Sequence, residues 1–266
     1  MTHFPQGQLI HLRRSEFQTL AVYQAEQLRL LRVDDQAIQS ACNLLAPEQL
    51  CLPYAQFMMG VFLFQPAPEK VLLLGLGGGD MARYLHHALP RCQLTAVDID
   101  ANTFDIAQRY FELPDDRVDG VCQEAHHFVE SSRGRYHSVL IDLYATQGPP
   151  ALLHDIGFFE HCRQRLTLDG VLALNLITED ADVFADIVCK VRLVFNSLSV
   201  CAKVPGHKNI VIFAFNKKPA QTGRADLSEN ARQLSQRYEL NFNAIVEALF
   251  DSHPLKDGEL ILVERE

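Results

Sequence analysis

From residue 71 onward the chain alternates short apolar runs with stretches whose apolar residues return every three or four positions. The runs at 71–75, 92–98, 117–122, 137–142, 170–176, 197–203 and 209–216 have the length and composition of buried strands. The clearest helical stretch, 180–195, gathers Val183, Phe184, Ile187, Val188, Val191, Val194 and Phe195 into one apolar stripe. Such alternation predicts an α/β fold, a doubly wound parallel sheet with helices on both faces. Only residues 204–208 separate the last two runs, so that pair is expected to be antiparallel. Two more helical patterns fill 226–250.

Residues 1–65 read differently. Segments 8–13, 18–25, 28–33 and 37–40 are short and rich in Leu, Val, Ile and Tyr, with turn residues such as Asp34-Asp35 between them. They predict a small antiparallel β-region. Pro53 stands where a helix over 54–64 would begin, and Pro66-Ala-Pro68 marks a boundary. The expected division is an N-terminal β-region with its connecting helix (1–65), a nucleoside-binding α/β domain (66–220) and a helical extension (221–266).

Chemistry enters at the strand ends, because ligands of open α/β sheets bind outside the carboxyl ends of the strands. The run 71–75 stops in Gly75-Leu-Gly77-Gly78-Gly79-Asp80, and helical spacing resumes at Met81, Leu85, Ala88 and Leu89. The next run stops at Asp98, a carboxylate able to accept hydrogen bonds from both hydroxyls of one ribose. Glycines at such a turn let the backbone approach a ligand closely. The dinucleotide fingerprint G-x-G-x-x-G is not met, since its sixth position is Asp80, and a carboxylate there would repel a pyrophosphate. Gly75-x-Gly77-x-Gly79 is closer to the loop of S-adenosylmethionine-binding enzymes. Two further strand ends finish in acids, Gln123-Glu124 and Asp142-Leu-Tyr-Ala145. Acids are poor strand formers, so their recurrence at strand ends marks a site, although each alone is also an ordinary cap.

Composition narrows the partners. A formal charge of −9 without basic clustering argues against nucleic acid and is compatible with a cationic substrate. No apolar stretch approaches the length of a membrane span, and Met1-Thr-His-Phe-Pro lacks the charged and apolar regions of a signal peptide. The seven cysteines are scattered without a C-x-x-C, as expected of reduced thiols in a cytoplasm. No metal site is expected: adjacent helical residues such as His86-His87 point about 100° apart, which makes a poor chelate. Gly206-His-Lys-Asn209 reads as a hairpin turn.

Between about residues 18 and 216 the chain resembles the polyamine aminopropyltransferases, the spermidine and spermine synthases. The likeness rests on the small β-region, Ile38-Gln39, Pro53-Tyr54, the glycine loop, Val97-Asp-Ile-Asp100, Tyr136–Asp142, Gly148-Pro-Pro-Ala-Leu-Leu, Phe158-Phe159 and Leu168-Asp-Gly170. It implies a Rossmann-like sheet of methyltransferase type. It also implies a reaction in which an amine attacks the aminopropyl carbon of decarboxylated S-adenosylmethionine and methylthioadenosine leaves. On that resemblance Asp142 is the catalytic carboxylate and Tyr54 its companion. Gln39, Gly75, Gly77, Gly78, Gly79, Asp98 and Glu124 hold the donor, with Asp98 on the ribose and Glu124 on adenine. A homodimer through the N-terminal region is implied too.

Three polar positions of the family pattern are changed. The loop aspartate falls on Gly78, the second acid of D-x-x-D is Ala145, and the polar residue after the tyrosine is Ala55. Asp80 stands two positions beyond the lost loop acid. The loop acid suits a donor lacking a carboxylate, so glycine there admits intact S-adenosylmethionine. The expected function is therefore aminopropyl transfer to a small-molecule amine. The alternatives are a methyltransferase of unknown acceptor and a non-catalytic nucleoside-binding protein.

Overall fold

A computed structural model of the chain describes residues 4–34, 38–146, 148–253, 255–256 and 258–262. The N-terminal segments form a four-stranded antiparallel meander: β1 (Gln8–Arg14), β2 (Thr19–Ala25), β3 (Leu28–Val33) and β4 (Ile38–Asn43). The turn residue Asp35 and the start of the segment at 37 lie outside the described residues. Leu20, Val22, Leu31 and Val33 form a small core with Ile106 and Phe111 of the main domain. The opposite face is covered too, with Leu30 and Ala41 packed into the larger core.

A short helix follows, α1 (Pro53–Met58), opened by a proline at its first position. Residues 59–63 then tighten into a 3₁₀ turn, so the single helix expected over 54–64 is divided. Gly60 lies there against Phe213, where even a Cβ would come within 2.6 Å of the ring. Close apposition to the main sheet sets that geometry.

The main sheet has seven strands: β5 (Lys70–Leu74), β6 (Gln93–Asp98), β7 (Val118–Cys122), β8 (Tyr136–Ile141), β9 (Leu166–Ile177), β10 (Ser199–Lys203) and β11 (Asn209–Phe215). Their order is β10-β11-β9-β8-β5-β6-β7. β7, β6, β5, β8 and β9 run parallel, and β11 pairs antiparallel with both β9 and β10. Strand order reverses between β5 and β8, and such a switch point opens a crevice at the carboxyl ends. β9 begins earlier than its apolar run suggests, at Leu166, because its register against β8 is interrupted between Leu166 and Val171.

Helices cover both faces. α2 (Asp80–Ala88), α3 (Ala101–Tyr110), α4 (Ala125–Ser131), α5 (Ile156–Gln164) and α6 (Ala181–Val194) are the crossovers, and α7 (Arg224–Tyr238) and α8 (Phe242–Ser252) form the tail. α4, α5 and α6 bury Phe128, Phe158, Phe159, Ile187 and Val191 against one face. α1, α2, α7 and α8 bury Met58, Leu85, Leu234, Phe242 and Leu249 against the other. No helix among the described residues is long and apolar enough to cross a membrane.

Two buried contacts fasten the small sheet over the crevice. The Ser40 Oγ accepts the Gly78 N–H at 2.7 Å, and an Asp80 oxygen accepts the Ala41 N–H at 3.0 Å. The β-region thereby becomes a wall of the site.

Candidate active site

The crevice at the switch point is a cleft of about 240 Å³, lined from four strand ends and from the N-terminal sheet. Its floor is the turn after β5. Gly75 donates its N–H to the Val97 carbonyl at 2.8 Å, and Asp142 donates its own to the Leu74 carbonyl at 2.8 Å. Gly75 has φ +91° and sits so close to the Asp142 carbonyl that a Cβ would lie 2.1 Å from that oxygen. Only glycine meets both conditions.

Asp98 holds the far side of this turn. One carboxylate oxygen accepts the Leu76 N–H at 3.0 Å, and the other accepts the Asp100 N–H at 3.0 Å. Burial raises its pKa above the ordinary value, while these N–H donors lower it. The carboxylate lines the cleft, and a carboxylate has acceptor capacity beyond these two N–H donors, as a pair of ribose hydroxyls requires. Glu124 lies on the rim as the N-cap of α4, accepting the His126 and His127 N–H groups at 3.0 and 2.8 Å. Its two roles, cap and cleft wall, are compatible, because each oxygen retains a second acceptor site.

Asp142 stands at the centre. Asn175 Nδ2 donates to one of its oxygens at 2.8 Å, and the Tyr54 hydroxyl donates to the other at 3.1 Å. Asn209 Nδ2 in turn donates to Asn175 Oδ1 at 2.9 Å, which fixes the orientation of the amide. Burial pushes the Asp142 carboxyl from an ordinary 3.8 up to about 6, against the two hydrogen bonds that lower it. Tyr54 is held well above its usual 10, by burial first and then by the Asp142 charge, so it acts as a donor and not as a base. The Tyr54 hydroxyl also lies 3.2 Å from the Gln39 carbonyl. Its one proton can serve the carboxylate or turn to that carbonyl when Asp142 is protonated.

This geometry makes a prediction. Tyr54→Phe removes a donor that favours the charged carboxylate, so the Asp142 pKa rises further. With Asp142 as the base, the rising limb of kcat/KM against pH is expected to start near 6 and to move upward by roughly one pH unit in the variant. An unmoved limb would mean that the hydroxyl spends its proton on the Gln39 carbonyl.

Of the residues singled out in the sequence, Gln39, Tyr54, Gly75, Gly77, Asp98, Glu124 and Asp142 converge on this cleft. Gly78 and Gly79 do not line it. Gly78 is buried against Ser40 and Phe111, where a Cβ would come within 2.7 Å of the Ser40 Cβ, and Gly79 caps α2 against Leu113. Asp80 faces the cleft, but its charge is committed: it pairs with Arg83 at 3.1 Å, both side chains are buried, and Arg83 also donates to the Pro47 carbonyl at 2.9 Å. It is therefore no free replacement for the lost loop acid.

Ser40, Arg83 and Asn175 are site residues that sequence reasoning passed over. Asn175 carried a signal, a lone amide within the apolar run Leu172-Ala-Leu-Asn-Leu-Ile177. Residues 206–209 form the β10–β11 hairpin as expected, and they also line a second chamber adjoining the cleft.

Comparison with known proteins gives a consistent answer. A family model described as the spermine/spermidine synthase domain matches residues 52–223. A polyamine aminopropyltransferase of Chromobacterium violaceum is 29% identical over 237 residues, covering 88% of this chain and 90% of the relative. The crystal structure of spermidine synthase from Thermotoga maritima superimposes with a TM-score of 0.71 at 18% identity, covering 94% of this chain and 85% of that one. Human methyltransferase-like protein 13, solved in complex with SAH, superimposes with a TM-score of 0.66 at 21% identity over 71% of this chain and 93% of its own. Both superpositions speak to the fold.

Proposed function

Because the chain belongs to the spermine/spermidine synthase family, we propose that it transfers an aminopropyl group from decarboxylated S-adenosylmethionine to an amine. The observation that carries this reading is the setting of Asp142, a half-buried carboxylate with an elevated pKa between Tyr54 and Asn175, where the donor cleft meets a second chamber.

The chemistry needs an amine that has lost its proton. An alkylammonium has a pKa near 10, far above that of an ordinary carboxylate, and efficient transfer requires the gap to narrow. Burial narrows it, since at about 6 Asp142 is still charged at neutral pH yet is a better base than a solvated aspartate. The ammonium docks on Asp142 and gives up one proton to it. The freed lone pair forms the N–C bond to the aminopropyl carbon. The C–S bond breaks with its electron pair passing to sulfur, so the sulfonium becomes the thioether of methylthioadenosine. The proton on Asp142 then leaves to solvent. Asp98 and Glu124 orient the nucleoside, and holding both reactants in line supplies much of the remaining rate. The exposed Leu9, Ile10 and Leu12 of β1 support the homodimer within this reading.

One observation favours a second reading, methyl transfer from intact S-adenosylmethionine. Where the family loop carries an acid, this chain has Gly78 backed by Ser40 and Phe111, and the nearby Asp80 is paired with Arg83. No free carboxylate of that loop opposes the carboxylate of an intact donor. Calorimetric titration with both donors, side by side, decides the matter. Tighter binding of the decarboxylated form, by roughly tenfold or more, is the expected result. Equal or tighter binding of intact S-adenosylmethionine would establish the second reading, and binding of neither would overturn both.

A further inference from the structure

Across Tyr54, Asp142 and Tyr144 the donor cleft opens into a second chamber of about 630 Å³, large enough for a small molecule. Its walls are mostly apolar, with Phe4, Ile38, Leu52, Leu153, Leu176 and Ile177 among them. Among the described lining residues Asp142 is the sole carboxylate. Two of the chamber's polar side chains are engaged with each other and with the carboxylate: Asn209 donates to Asn175, and Asn175 donates to Asp142. Lys208 stands in the lining, paired with the exposed Glu179 at 2.7 Å. Asp34, which acts electrostatically on Tyr144, accepts the Thr19 N–H at 2.8 Å and stands outside the lining.

Among the described lining residues the charge balance is therefore one carboxylate for one ammonium, with Lys208 already paired to Glu179 and apolar walls beyond. A second ammonium, several ångströms from the first, would lie beside hydrocarbon with no carboxylate to receive it among the described lining residues. An uncharged tail would instead bury apolar surface against those same walls. We infer that the acceptor is a primary amine with a single ammonium end and an uncharged, apolar tail, and not a diamine. The inference rests on the amine-acceptor reading above. In the transfer the single nitrogen docks on Asp142, loses its proton there and forms the new N–C bond, while the tail occupies the chamber.

The test compares matched pairs that differ in one terminus, butylamine with 1,4-diaminobutane and hexylamine with 1,6-diaminohexane. Each is titrated into the free protein and into protein saturated with methylthioadenosine. The expected result is that each monoamine binds at least roughly tenfold more tightly than its diamine, with hexylamine ahead of butylamine. Ala145→Asp places a second carboxylate on the half-buried wall of the same chamber, and it is expected to abolish or reverse that preference. A wild-type protein that binds the diamines equally or more tightly, or that binds neither class, would overturn the inference. Methylthioadenosine is scored separately. Its failure to bind would count against the donor reading, while the amine comparison on the free protein would still stand.

Discussion

Replacing Asp142 by Asn is expected to lower kcat by about a thousandfold, the scale of a lost general base, while leaving the fold intact. The substitution preserves shape. Asn175 can still donate to the remaining carbonyl oxygen, and the Tyr54 hydroxyl can turn to the Gln39 carbonyl 3.2 Å away. What disappears is the charge proposed to receive the ammonium and its proton. Stability gives an independent readout. The folded-state pKa of Asp142 is raised from 3.8 to about 6, so the native state binds this proton more tightly than the unfolded chain does. Its stabilising contribution is complete below pH 3.8 and is lost as the pH rises through 6. Above that point the buried charge costs about 3 kcal/mol, a cost the amide avoids. Asp142→Asn should therefore match or exceed the wild type in urea unfolding at pH 8, with the advantage shrinking towards pH 5. A variant that is stable but inactive fits the assigned base. A variant that retains turnover removes Asp142 from the chemistry.

The same residue shows what was readable in the sequence and what was not. Asp98 ends its strand and Asp142 and Glu124 lie within two residues of theirs, and strand ends can be located from apolar runs alone, so their convergence was legible in the sequence. The antiparallel closing pair was legible for a similar reason, since five residues between strands leave no room for a crossover. Partners that arrive from distant elements were not legible. Ser40 reaches Gly78 from the N-terminal sheet, and Arg83 neutralises an acid on its own helix only because both side chains are buried beneath that sheet. Nothing in local spacing distinguishes this buried pair from a solvated one. Asn175 belongs between these cases, visible as an odd residue in a strand but meaningless until β9 is placed beside β8. The division of the helix after Pro53 was also hidden, since the close approach of Gly60 to Phe213 spans most of the chain.

Gly75→Ala should be the most damaging single-methyl change in the site, because it strikes the donor floor and the base together. Two penalties combine. The residue adopts φ +91°, a region that L side chains occupy only under strain, at roughly 1–3 kcal/mol. The new Cβ would also lie 2.1 Å from the Asp142 carbonyl oxygen and 2.9 Å from its carbon, and both are backbone atoms that no rotamer change can move aside. Relief requires β5 and β8 to separate at their carboxyl ends, against the hydrogen bond from Asp142 N–H to the Leu74 carbonyl. Overpacking of that kind typically adds about 1–3 kcal/mol more, so a total loss of about 2–6 kcal/mol is expected in urea unfolding. Gly148→Ala separates the two terms, for it carries a similar φ of +73° with nothing within 4 Å of the added Cβ. That variant should lose only the conformational share. If Gly75→Ala does fold, the base is displaced from its partners, and misplacement by about 1 Å costs on the order of a hundredfold in rate. Equal stability losses in the two variants would show that the turn yields easily, and that the contact between Gly75 and Asp142 does not set the position of the base.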